Sequence, residues 1–148
     1  MVPVDQIQDR DVKALARRAH EFISVQRWCK RIISGDLAWA VGGVLGVFQF
    51  RIEPAEPNVD EVLWVIMGDV PPAYLVLDNA PTWQEALAGY VEEMERWVQG
   101  VRSGADLSGI IPVDVSPTPE HANMLAVRLA FIRSRIVNAD PATLESDT

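Results

Sequence analysis

The run Val62-Leu-Trp-Val-Ile-Met67 is apolar at every position, and few folds can accommodate such a stretch. With Glu61 and Gly68 at its ends it reads as a β-strand, Glu61–Gly68. A turn at Asp69-Val-Pro-Pro72 leads to a second strand, Ala73–Asp78. In the first, Val62, Trp64 and Ile66 alternate with Leu63, Val65 and Met67, so both faces are apolar. An antiparallel strand with one wet face alternates apolar and polar residues instead. Two covers are open: helices on both faces, or a second copy of the chain on one of them.

The flanking segments supply the helices. Residues Gln6 to Ile33 read as one long helix, with Asp5 and Gln8 as a capping box. Its apolar stripe is Leu15, Ala19, Phe22, Cys29 and Ile33, broken at Gln26. Gly35 terminates it, after basic residues that suit the negative end of the helix dipole. From Leu37 the period changes. Leu-Ala-Trp-Ala-Val and Val-Leu-Gly-Val-Phe-Gln-Phe-Arg-Ile flank Gly42-Gly43, which reads as a hairpin turn or as a glycine bulge in one long strand.

Thr82-Trp-Gln-Glu85 is a second capping box, opening a helix to about Val101 with the stripe Trp83, Leu87, Tyr90, Met94, Trp97 and Val101. Asp106–Ser116 is a loop whose apolar piece, Ile110-Ile-Pro-Val113, adds to a sheet edge or covers core. Thr118-Pro119-Glu120 starts the last helix, with Leu125, Leu129, Ile132 and Ile136 as its stripe, widened by Met124 and Phe131. The predicted class is α+β: an N-terminal long helix, an antiparallel meander of three or four strands, then two C-terminal helices packed on the sheet. One domain spans residues 1–148, with residues 138–148 an acidic tail that frays.

Composition narrows the function classes. Apolar residues make up 49% and charged residues 23% of the chain, as in ordinary globular proteins. Net charge is −8, unevenly placed. Ile52 to Glu95 contains ten acids and no Lys or Arg, whereas Asp5 to Ser34 holds seven bases against four acids. That segment is therefore +3, which leaves −11 for the remainder. An acidic middle argues against nucleic acid and fits a basic protein partner. The basic first helix offsets those acids if the two lie close, within one chain or across a dimer. A lone cysteine, Cys29, and an N-terminus without a basic start or apolar run predict a cytoplasmic protein with no membrane segment.

No motif specifies catalysis. His20, Cys29 and His121 share no metal-ligand spacing, and no nucleophile elbow is present. Gly42-Gly-Val-Leu-Gly46 lacks the Lys-Ser/Thr ending of a phosphate loop. Asp60, Glu61 and Asp78 would meet at the far end of a hairpin, where three carboxylates could bind a divalent cation or perturb one another's pKa. Acids at strand ends also serve as plain soluble punctuation, and no catalytic residue, metal or cofactor is assigned.

The five tryptophans suggest a cavity between sheet and helix, lined by Trp39, Trp64, Tyr74 and Trp97 as ligand-binding residues. Core packing explains the same positions. Three functions are carried forward: a non-catalytic, self-associating interaction protein with an acidic surface, a small-molecule binding domain using that cavity, and a carboxylate or divalent-metal enzyme. A homodimer is the expected assembly.

Overall fold

The computed structural model describes residues 1–78, 80–111, 113 and 115–134. Its centre is a five-stranded antiparallel meander in sequence order. The strands are β1 (Val2–Pro3), β2 (Cys29–Val41), β3 (Leu45–Pro54), β4 (Val62–Gly68) and β5 (Val70–Val76). Helix α1 (Arg10–Ser24) precedes β2, and α2 (Trp83–Ser103) and α3 (Pro119–Ile132) follow the sheet. The α+β class is as expected. Residues 138–148, and Ile136 of the last predicted stripe, lie outside the described residues.

Strand alternation divides the core in two. Phe48, Phe50 and Ile52 of β3, with Leu63, Val65 and Met67 of β4, point to one side and meet Leu15, Ala19 and Ile23 of α1. Val47 of β3 and Trp64 and Ile66 of β4 point to the other, against α2 and α3. Helices therefore cover both faces, and the doubly apolar strands need no second copy to bury them. Each fully buried Leu, Ile or Phe contributes ~1.5–3 kcal/mol, so both layers matter to stability. Leu107, Ile110, Ile111 and Val113 pack half-buried on the α2 side, so that loop covers core.

The first helix is shorter than its periodicity suggests. Asp9, not Asp5, caps it, accepting from the Asp11 and Val12 amides at 2.9 and 3.0 Å. It stops at Ser24, where the Gln26 amide donates to the Ile23 carbonyl and the Gln26 side chain to the Phe22 carbonyl. The polar break at Gln26 is thus the helix end. Beyond it Trp28, Ile32 and Ile33 are β-formers, and the chain enters β2 at Cys29. Gly35 lies inside that strand, opposite Phe50.

Gly42-Gly43 is a hairpin turn, not a bulge: Val41 pairs with Leu45, and Gly42 has φ +47°, a conformation favourable to glycine. The connection between β4 and β5 is tighter than the expected four-residue turn. Only Asp69 separates them, and Pro71 and Pro72 lie in the edge strand where its pairing with β4 shifts register, a setting in which a sheet tolerates proline.

Candidate docking surface

The predicted aromatic set divides between the two faces. Trp39 on β2, Trp64 on β4 and Trp97 on α2 share the α2 side and are at most 3% exposed. The Trp64 indole N–H donates to the Ala80 carbonyl at 2.6 Å. Trp39 stacks on Trp83, ring centres 5.2 Å apart and planes within 1°. Tyr74 pairs with Val65, which puts its ring on the α1 side, 4.8 Å from Trp28 and 6.3 Å from Phe22. The structure brings three of the four together as packed core and separates the fourth by the thickness of the sheet.

The titratable groups are dispersed. Among the described residues no group of three or more His, Cys, Asp or Glu side chains is placed to hold a metal ion. Glu61 approaches Arg51 at 3.9 Å at the surface. His121 Nδ1 lies 2.9 Å from the Ser116 carbonyl and 3.0 Å from Thr118 Oγ1, fastening the start of α3. Burial raises the Cys29 thiol pKa and makes it a poor nucleophile. Burial also pushes the Tyr90 phenol far above its ordinary 10.0, and its O–H donates to the Pro71 carbonyl at 2.6 Å. The Arg31 hydrogen bond and nearby Lys30 hold the Glu53 carboxyl below its usual range.

Charge is also separated by the sheet. The cations of α1, Arg10, Lys13, Arg17 and Arg18, lie on the face opposite α2. None of them enters an ion pair among the described residues. Arg18 instead donates to the Gly68 carbonyl. Two of the four acids of α2 are paired, Glu93 with Arg96 and Glu95 with Arg133. Of the predicted basic segment, only Lys30 and Arg31, which the structure places on β2, meet the acidic one, at Glu53; the cations of α1 itself do not offset it by direct pairing among the described residues.

The outer face of α3 departs from the other helices. The exposed side of α1 is charged at Arg10, Asp11, Lys13, Arg17, Arg18 and Glu21, as an amphipathic surface helix requires. Beyond its first turn, α3 exposes Asn123, Met124, Val127, Ala130 and Phe131, none of them charged. Met124 is 53%, Val127 71% and Phe131 51% exposed, although Ala122, Leu125, Leu129 and Ile132 already bury the inner side. A helix apolar all round is normally covered all round.

Two grooves run along this helix. One, of ≈ 370 Å³, lies between Val115, Met124 and the β4–β5 junction. The other, of ≈ 280 Å³, lies between Val127, Phe131 and the hairpin-turn residues Val41 and Val44. The ion pair between Arg128 Nε and Asp69 Oδ2, at 3.2 Å, stands between them. Of the eleven large apolar side chains exposed among the described residues, Val41, Val44, Val115, Met124, Val127 and Phe131 gather here. The sequence signal was a second apolar stripe, 124-127-131, beside the core stripe. Counting Met124 and Phe131 only as a widening of the core stripe missed it.

The chain matches no known family, no curated protein and no solved structure.

Proposed function

We propose that this chain is a non-catalytic interaction protein that docks another protein surface on the outer face of α3. The observation that carries the reading is the absence of charge from the exposed positions of α3 past its first turn, in a chain of net charge −8. Contiguous apolar surface on a soluble domain marks a place that binds something. The acidic segment, with exposed Asp60, Asp78, Glu85 and Glu92, offers a separate and weaker contact to a basic partner. A titration with a lysine-rich peptide checks that part: binding should weaken as salt rises.

A neutral apolar dye such as Nile red tests the docking face directly. At sub-micromolar protein, fluorescence should report binding that Val127→Glu removes without moving the unfolding midpoint. No dye binding, or binding indifferent to Val127→Glu, would overturn the reading. A small-molecule site built on Trp39, Trp64, Tyr74 and Trp97 has less support, because Tyr74 faces away from the other three.

A further inference from the structure

The uncharged face of α3 raises the question of what it meets. In a two-fold dimer each surface patch faces its own copy, so a patch with net charge repels itself. That condition disfavours the outer face of α1, dense in arginine, and the acids of α2. The α3 face meets it, because its one flanking cation, Arg128, is already paired with Asp69. We infer that a second copy of this chain docks here, α3 against α3 in antiparallel fashion about a two-fold axis near Val127. This rests on the docking reading above and names its occupant.

Size and shape both fit. A half-exposed Val, Met or Phe leaves about 100 Å² in water, so the six clustered side chains offer about 600 Å² per copy, near the ~800 Å² that each partner contributes to a stable interface. Antiparallel packing about Val127 sets Met124 opposite Ala130 and Phe131 opposite Asn123, each large side chain against a smaller one. Ala130 allows the close helix approach that ridge-and-groove packing needs.

Light scattering across a concentration series tests the assembly. The expected species is twice 16.4 kDa, with affinity rising as salt screens the −8 on each copy. Val127→Glu, at a position 71% exposed, should weaken dimerisation by about 100-fold or more while circular dichroism stays unchanged. Val127→Cys, on the two-fold axis itself, should form an intermolecular disulfide on mild oxidation, whereas Glu92→Cys on α2 should not. A monomer at every concentration, with dye binding intact, would overturn the second copy and leave the docking face standing. A dimer indifferent to Val127→Glu, and in which Val127→Cys forms no cross-link, would place the interface elsewhere and equally overturn the inference.

Discussion

Replacing Gly68 by alanine should be among the most damaging single-methyl changes in the molecule. Gly68 closes β4 at φ +155°, in a region that L-residues rarely adopt. A Cβ there would collide with the Val44 carbonyl oxygen and lie 2.8 Å from Leu45 Cα and 2.9 Å from Val44 C. All three are backbone atoms, so no side chain can rotate away. Retreat is blocked from both sides. The Asp69 amide donates to the Val44 carbonyl at 2.8 Å, Leu45 pairs with Gly68, and Arg18 holds the Gly68 carbonyl at 3.3 Å.

Backbone strain of ~1–3 kcal/mol and overpacking of ~1–3 kcal/mol together put the cost at about 4 kcal/mol. In a domain of this size that is about 8–16 °C in Tm. Gly42→Ala is the control: φ is +47°, nothing lies within 4 Å of the new methyl, and the cost should be ~1 kcal/mol. Urea unfolding followed by tryptophan fluorescence reads both. A Gly68→Ala loss no larger than that of Gly42→Ala would refute the claim that Val44 and Gly68 are locked together.

Trp64→Phe leaves the buried Ala80 carbonyl without its indole donor and a gap beside it, so urea unfolding should show a loss of about 2–4 kcal/mol; a loss below ~1 kcal/mol would contradict the assignment. Cys29 should resist Ellman's reagent in the native protein and react only at the rate of opening, and rapid native labelling would refute its burial. Tyr90→Phe removes the bond to the Pro71 carbonyl and should cost ~1 kcal/mol at neutral pH. Because the folded phenol pKa is raised above the unfolded value of 10.0, its contribution is fully present below pH 10 and is lost as pH rises towards the folded value. The gap between wild type and Tyr90→Phe should therefore shrink by up to about 1.4 kcal/mol per pH unit above 10, and a constant gap would count against it.

Local chemistry made some elements legible and left others hidden. Thr82 and Thr118 accept from the Glu85 and His121 amides at 3.2 and 3.3 Å, as their capping patterns imply, and Gly42-Gly43 turns as a glycine pair should. The end of α1 carries no such mark, because residues 25–34 contain neither Gly nor Pro and Cys29 satisfies a helical stripe as readily as a strand. Long-range pairing with Pro54 and Glu53 decides that stretch in favour of β2. β1 is two residues long and exists only through Asp36 and Leu37. The face of Tyr74 depends on the β4–β5 register, where a slip of one residue turns every side chain over. For α3, apolar residues on both sides leave the inner and outer stripes indistinguishable until the sheet is placed.

The sheet itself offers little room for a partner, which is why the helix faces matter. On one edge, β5 begins with Val70-Pro71-Pro72, and two successive residues without an N–H obstruct an added strand. On the other, β1 covers Asp36 and Leu37, and β2 carries register shifts at Cys29/Arg31, Ile32/Ser34 and Leu37/Trp39. Lys30 and Arg31 stand on that edge with Glu53, so an incoming strand would meet both irregular geometry and charge. Both faces of the sheet lie under helices. A partner would then have to meet the outer side of a helix, and the described residues form three α-helices. α1 presents closely spaced cations and α2 presents acids, so each favours a partner of opposite sign and opposes its own copy. Only α3 among them presents exposed apolar side chains with its neighbouring charge, Arg128, already neutralised by Asp69. On the dimer inferred above, the devices that keep the sheet from growing leave the outer face of α3 as the place where two copies would meet.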